Sequence, residues 1–200
     1  SMNERFALVR AGFEQEEQRL RDLAAEYATR RFESIQENVT LVFDKPVRIN
    51  NVRVFDPDSL SLTDPVSVLV EDNQIVSMDD VVETADADEI LIDGAGGTLV
   101  AGMFEMHAHA GQGSALLNIA AGVTSFRDMG NNNAVLDDLI NKIESGRLVG
   151  PRIHRSGFIE GRSPFNSNSG ILVATQEEAL DAVRWYADQG DFHQIKIYNS

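Results

Sequence analysis

The chain has 200 residues, 42% hydrophobic and 24% charged, a composition ordinary for a globular protein with a real core. Its 17 basic and 32 acidic residues leave a net charge of −15, which argues against nucleic acid as a partner because such a surface repels phosphate. Cysteine is absent, so disulfides are excluded and any metal must be bound through nitrogen and oxygen. No apolar run approaches the roughly 18 residues of a membrane-spanning helix, so no membrane span is expected.

The first 37 residues predict an N-terminal amphipathic helix over residues 3–37, rich in Glu, Gln, Arg, Leu and Ala. Large apolar residues recur seven apart along it: Phe6, Phe13, Leu20 and Tyr27. We expect this helix to pack on the rest of the protein. Coiled-coil pairing is the less favoured alternative, because Glu16 and Arg30 occupy positions where the second apolar residue should stand.

From about residue 39 to 100, apolar residues alternate with polar ones, which is typical of strands. Val66, Val68 and Val70 lead into the acidic turn Glu71-Asp72-Asn73, and a second short apolar run follows. Two such runs around a turn predict a hairpin. We therefore predict a small antiparallel β module over residues 38–97.

After Thr98 short strands alternate with helices, a pattern that indicates a parallel sheet with right-handed crossovers. The predicted strands are Leu99–Met106, Val123–Arg127, Arg152–Ser156 and Gln194–Tyr198, and the predicted helices cover about 113–121, 133–145 and 175–189. Thr175 and Glu178 have the spacing of a capping box. The connection Phe158–Ile171 is polar and lacks periodicity, and loops of that length usually carry function.

His107 and His109 follow the apolar run of the first of these strands, with small residues after them. Residues two apart on a strand point to the same side, so both imidazoles can face one metal ion. A His-x-His pair also arises by chance. The alternative is therefore a pair of structural histidines in an unrelated α/β fold with a flat, doubly wound sheet.

The segments Leu99–His109 and Ala121–Gly130 together resemble the amidohydrolase superfamily of metal-dependent hydrolases, and the resemblance extends over about residues 45–200. It implies a metal-bearing TIM barrel preceded by a small β-sandwich, with His107 and His109 as metal ligands at the end of the first barrel strand. The fold class expected is thus α/β: an N-terminal helix (1–37), a small antiparallel β-sandwich module (38–97) and the first half of a TIM (β/α)8 barrel (98–200). Glu105 stands where the family usually has Asp.

The resemblance also implies that Lys196, at the end of the fourth barrel strand, is carboxylated by carbon dioxide or bicarbonate and bridges two metal ions. A buried ammonium is costly, and carboxylation would turn this lysine into an anionic oxygen ligand. The alternative is a lysine whose amine reaches solvent from the strand end. Tyr198 lies on the same face of the strand as Lys196 and is expected to line the substrate pocket.

Three other polar residues on the predicted strands are candidates with open alternatives. His154 alternates with Arg152 and Ser156 and is either a pocket residue or a structural histidine. Asp128 is expected either to pair with Arg127, to hydrogen bond a loop, or to support the site, because strand C-terminal ends carry function in this fold. His193 precedes the fourth strand and is assigned no role.

A TIM barrel needs eight strand–helix units and about 250 residues, and this chain supplies roughly four. The resemblance places two further histidine ligands and the catalytic aspartate beyond Ser200, so no catalytic residue is expected within these 200 residues, which alone would be inactive. We expect a hydrolase of amide C–N bonds that uses one or two divalent ions, zinc foremost, and acts on a small molecule or short peptide such as a dipeptide or an N-acyl amino acid.

Two further expectations concern partners and relatives. The strand Ile195-Lys196-Ile197 is similar to peptidase-like and prolidase-like members, although a Gly-Gly-His-Gly loop associated with prolidases is not present in residues 158–171. An open half-barrel would expose a sheet edge, so a homo-oligomer or association with a C-terminal half is expected.

The alternative function is a non-catalytic scaffold that uses the same barrel. The sequence does not separate a cytoplasmic from a periplasmic location.

Overall fold

The computed structural model describes residues 8–84, 86–167 and 169–198. Its contacts divide the chain into two units. One unit comprises the chain up to Val39 together with the chain from Gly102 onwards, and the other is Thr40–Ala101. The N-terminal helix, which we predicted as a segment of its own, therefore belongs with the parallel sheet. None of the helices in the described part of the chain is long and apolar enough to cross a membrane.

The unit Thr40–Ala101 is one six-stranded sheet in which the long first strand pairs with four of the other five. Its strands are β1 (Val47–Asp56), β2 (Ser61–Leu62), β3 (Val66–Glu71), β4 (Gln74–Asp80), β5 (Ile90–Asp93) and β6 (Thr98–Leu99). Strands β2 and β3 pair with β1 in antiparallel fashion, and β3 and β4 form the predicted hairpin. The prediction of a purely antiparallel module is wrong for β5 and β6, which run parallel to β1.

The ladder of β1 is interrupted between Ile49 and Val52, where Asn51 has a φ of 54°. A bulge of this kind bends a strand, and the two halves of β1 accordingly pair with different short strands. All six strands thus connect through β1.

A buried arginine connects two strands of this sheet, β1 and β4, with the loop that precedes β5. Arg48 donates from Nε and Nη2 to the two carboxylate oxygens of Glu89, at 2.6 and 2.7 Å, and from Nη1 to Asp79 at 3.1 Å. These bonds are charge-assisted, and the pair with Glu89 is bidentate. The hydrogen bonds from Arg48 hold the pKa of the Glu89 carboxyl below its ordinary value.

The other unit contains a parallel sheet with helices between its strands. Its elements are α1 (Glu17–Val39), β7 (Met103–Ala108), α2 (Gln112–Ala120), β8 (Val123–Asp128), α3 (Asn133–Glu144), β9 (Arg152–Gly161), β10 (Ile171–Val173), α4 (Gln176–Gln189) and β11 (Phe192–Tyr198). The order of the long strands is β7-β8-β9-β11, every pairing is parallel, and the short β10 pairs with the end of β9. The predicted alternation of strands and helices is confirmed.

Two of the boundaries predicted for this unit are wrong. The apolar run Leu99–Met106 is not one strand: Leu99 ends β6 in the first sheet, and β7 begins at Met103 in the second. Gly102 lies between them, where a Cβ would come within 2.0 Å of the Thr124 hydroxyl oxygen. The connection predicted at 158–171 is also shorter, because β9 continues to Gly161 and β10 starts at Ile171.

The helix α1 begins at Glu17, after a short 3₁₀ helix at Glu14–Glu16, so the prediction of a helix over 8–13 is wrong. Gly12 precedes it with a φ of +87°, a conformation that does not continue a helix. The predicted packing is confirmed within this unit: Thr29 is fully buried and donates to Gln112 at 2.7 Å, and Phe32 packs against the core. Phe6 lies outside the described residues.

The core of this unit lies between the sheet and its helices. One buried cluster joins β8 to α3: Ala110, Phe126, Leu136, Leu139, Ile140 and Leu148. A second joins β9 to α4 through Ile159, Ala182 and Tyr186. Side chains alternate along a strand. The residues next to Phe126 on β8 and next to Ile159 on β9 therefore face the opposite side of the sheet. That side, at the C-terminal ends of the strands, holds the predicted site.

Candidate metal site

The two histidines of the His-x-His pair lie side by side at the C-terminal end of β7. His107 belongs to the strand, and His109 follows its last residue. Their ring centroids are 5.6 Å apart, and both side chains are exposed. The structure therefore places both imidazoles where the alternation of a strand predicted them, next to one another.

Lys196 lies on β11, at the opposite edge of the strand order from β7, and its side chain reaches the histidine pair. Its Nζ lies 3.5 Å from Nε2 of His107. β7 and β11 are separated by two strands, so side chains upright on a flat sheet would stand about 14 Å apart at about 4.8 Å per strand. The contact indicates that the sheet is concave on this face, which does not fit the flat, doubly wound alternative.

The amine of Lys196 is surrounded by aromatic rings rather than by carboxylates. Its Nζ lies 5.9 Å from the ring centroid of Phe158 and 5.5 Å from that of Tyr198, within the range of a cation–π contact. Among the described residues, no carboxylate forms an ion pair with this lysine. Tyr198 is thus beside Lys196 as predicted, and Phe158 is a neighbour that sequence reasoning missed.

The ring of His109 is oriented by a backbone carbonyl. Its Nδ1 lies 2.8 Å from the carbonyl oxygen of Gly130. A carbonyl oxygen can only accept, so Nδ1 carries a hydrogen, and in the neutral imidazole Nε2 then carries the lone pair. Metal-binding histidines generally make such a bond from the nitrogen that does not bind the metal. Nothing in the sequence pointed to Gly130 as this partner.

Glu105 and Asp128 hold the backbone around the two histidines. Glu105 Oε1 accepts a hydrogen bond from the backbone N–H of His107 at 2.8 Å. The buried carboxylate of Asp128 accepts from the backbone N–H of Ala110 at 2.7 Å and from that of Gly130 at 3.0 Å. Of the alternatives for Asp128, the structure shows hydrogen bonds to loops, and no ion pair with Arg127 is present among the described residues.

The structure does not bring His154 to this group. Its ring lies 5.6 Å from the ring of His193, and it precedes Phe158 by four residues on β9. Lys196 is the residue in register with Phe158, so His154 lies nearer the opposite end of the strands. We therefore leave His154 out of the site.

A second buried carboxylate at this end of the sheet was not predicted. Glu160, 1% exposed, is in register with Tyr198 on the neighbouring strand. Its Oε2 accepts from both the backbone N–H and the hydroxyl of Ser167, at 2.8 and 2.7 Å. It anchors the connection that follows β9, and no sequence pattern distinguished it from a surface glutamate.

The donor set in this chain is two imidazoles and one amine. In the described part of the chain, no three His, Asp or Glu side chains converge to hold an ion. Two imidazoles and an unmodified amine are fewer donors than the four ligands of a tetrahedral zinc site.

Comparison with solved structures finds matches that share this architecture. A Bifidobacterium longum protein classed as a prolidase matches with a TM-score of 0.64 and 23% identity over 76% of this chain and 40% of that one. A Xaa-Pro dipeptidase with bound methionine matches with a TM-score of 0.62 and 21% identity over 76% and 46%. The bottromycin amidohydrolase matches with a TM-score of 0.59 and 16% identity over 86% and 35%.

The chain thus shares its fold with these solved structures, which are named as a prolidase, a Xaa-Pro dipeptidase and an amidohydrolase. It spans less than half of the length of each of the three structures described. No protein-family profile matches the sequence, and neither does any curated protein.

Proposed function

We propose that this chain supplies the first half of a (β/α)8 barrel in a metal-dependent hydrolase of amide C–N bonds. The observation that carries the proposal is the convergence of His107, His109 and Lys196 from two strands that are not neighbours. A structural histidine pair would have no reason to be joined there by a lysine. The fold that the chain shares with solved prolidase and amidohydrolase structures supports the same assignment.

The residues present fit a divalent ion such as zinc. Zinc binds imidazole nitrogen at about 2.0–2.1 Å, and the exposed rings of His107 and His109 lie side by side with their centroids 5.6 Å apart. The tautomer of His109 leaves its Nε2 free to bind. In the proposal these two histidines would hold one ion, and Lys196, carboxylated by carbon dioxide or bicarbonate, would supply an oxygen ligand to it and to a second ion. A bound ion of this kind supplies a water of lowered pKa and polarises the scissile carbonyl.

The chain's own residues orient the ligands and shape the pocket. Glu105 fixes the backbone of His107, and the Gly130 carbonyl fixes the ring of His109. Phe158 and Tyr198 flank Lys196 and give one wall of the pocket an aromatic surface. The remaining ligands and the proton-transferring aspartate are proposed to come from outside these residues. For substrates, the prolidase and dipeptidase names of the matched structures favour dipeptides or N-acyl amino acids.

The test is metal content and hydrolysis in the full-length protein. Zinc, manganese and iron would be measured by elemental analysis in the wild type and in His107→Ala, His109→Ala and Lys196→Met. His193→Ala is the matched control, because this histidine lies by His154 and away from the site. We expect stoichiometric metal in the wild type and control, and loss of at least one ion in the three site variants.

Activity would be followed on a panel of Xaa-Pro and other dipeptides and on N-acyl amino acids. Wild-type hydrolysis that disappears on chelation and returns with metal supports the proposal. A full-length protein that binds no metal and hydrolyses none of the panel would contradict it and favour the scaffold alternative.

A further inference from the structure

The carboxylate of Asp128 joins the two loops that follow β7 and β8. The residue is fully buried. Oδ2 accepts from the Ala110 backbone N–H and from Asn131 Nδ2 at 2.7 and 3.0 Å, and Oδ1 accepts from the Gly130 backbone N–H at 3.0 Å. One carboxylate thus accepts hydrogen bonds from three donors that belong to both loops.

These bonds enclose His109 on each side. The carbonyl of Ala108, just before it, accepts from the Met129 N–H at 2.8 Å. The residue just after it, Ala110, donates to Asp128 and accepts from Asn131 Nδ2 at 2.9 Å. The His109 ring then bonds the carbonyl of Gly130, whose own N–H is held by Asp128. Backbone and ring of His109 are therefore fixed through the same carboxylate.

We propose that Asp128 is a positioning residue that sets the tautomer and orientation of His109. By holding the N–H of Gly130, it keeps the carbonyl oxygen of the same residue in front of Nδ1, so that Nδ1 carries the hydrogen and Nε2 is the nitrogen that would bind an ion. The part of this inference that concerns metal rests on the proposed function. The part that concerns the tautomer does not.

The informative substitution is Asp128→Asn, which keeps the size of the side chain. An amide has one acceptor oxygen, and its NH2 group must then face the N–H of either Ala110 or Gly130. The donors repel, the loop moves, and the Gly130 carbonyl leaves Nδ1. A stability control is Asn132→Ala, which removes the cap of the adjacent α3 without touching His109.

The first readout is the tautomer in the metal-free, full-length protein, by 15N NMR of labelled imidazoles, with the His109 signals assigned from a His109→Gln variant. We expect the Nδ1–H form in the wild type and in Asn132→Ala, and a mixture with the Nε2–H form in Asp128→Asn. The second readout is zinc affinity, which should fall about 10–100-fold in Asp128→Asn alone.

Two results would overturn the inference. One is an Asp128→Asn protein that keeps the wild-type tautomer. The other is an affinity loss equal to that of Asn132→Ala, since this would make the effect one of general stability. A wild type that binds none of zinc, manganese and iron and hydrolyses none of the panel would refute the proposed function, and the tautomer measurement would then decide the role of Asp128 alone.

Discussion

The contact between Gly157 of β9 and Tyr186 of α4 allows a stability prediction worked from distances. A Cβ built on Gly157 would lie 2.7, 2.8 and 2.9 Å from Cγ, Cδ2 and Cδ1 of the tyrosine ring. Carbon atoms normally approach to about 3.5–4.0 Å. Gly157→Ala therefore requires the ring, or the strand, to move by roughly 0.7 Å or more on this scale.

The ring has little room to move. Tyr186 is 1% exposed, its ring centroid is 4.7 Å from that of Phe192 and 5.0 Å from that of Trp185, and its hydroxyl donates to the Phe158 carbonyl at 3.0 Å. Overpacking in such a setting lowers the free energy of unfolding by about 1–3 kcal/mol. Tyr186→Ala alone should lower it by about 3–5 kcal/mol, as aromatic-to-alanine changes in cores do.

The double variant separates this reasoning from a general weakening of the strand. Without the ring, the added methyl group of Gly157→Ala has space, so the double variant should be more stable than the sum of the single effects predicts, by about 1–3 kcal/mol. Urea denaturation of the four proteins, followed by fluorescence and circular dichroism, measures this coupling. Strictly additive effects would refute the proposed steric origin.

Two other predictions concern local hydrogen bonds. Asn132 caps α3 by accepting hydrogen bonds from the N–H groups of Ala134 and Val135 at 3.0 and 3.3 Å. In urea denaturation, Asn132→Ala should therefore lower the free energy of unfolding by about 1 kcal/mol, and Asn132→Gly by only a few tenths of a kcal/mol. Equal losses of stability in the two variants would contradict the capping role. Because Arg48 lowers the pKa of Glu89 in the folded state, the ion pair stabilises the protein above the ordinary carboxyl value of 4.5 and is lost as the pH falls through the lower folded pKa. Glu89→Gln should thus be less stable than the wild type at pH 6, with a gap that shrinks at pH 3; a gap of constant size would contradict the assignment.

Local sequence signals predicted the helices of the parallel-sheet unit well. The helix predicted at 133–145 is α3, Asn133–Glu144, and the capping box at Thr175 starts α4, where its hydroxyl accepts from the Glu178 N–H. These features depend on neighbours within one turn, so they can be read from the chain. The pairing of β5 and β6 parallel to β1 depends on distant residues and had no local signal. The prediction of one strand over Leu99–Met106 was wrong for a similar reason, since the apolar character of a residue does not indicate which sheet it joins.

The same distinction holds for the candidate site. The shared direction of His107 and His109 follows from strand alternation, and the structure places their rings together. The proximity of Lys196 followed only from the resemblance, since 89 residues separate it from His107. The Gly130 carbonyl could not be predicted, because every residue has a carbonyl and only the loop geometry selects one. His154 alternates correctly but lies at the other end of its strand, which periodicity alone cannot reveal.

A crystal structure of the full-length protein, with anomalous diffraction data recorded at the absorption edge of the bound metal, is the most direct test. The account predicts an anomalous peak within about 2.0–2.1 Å of Nε2 of both His107 and His109, with density for a carboxylated amine on Lys196 and the Nδ1 of His109 still bonded to Gly130. A metal-loaded crystal with no peak between the two imidazoles, or with an ion bound elsewhere in the barrel, would contradict it.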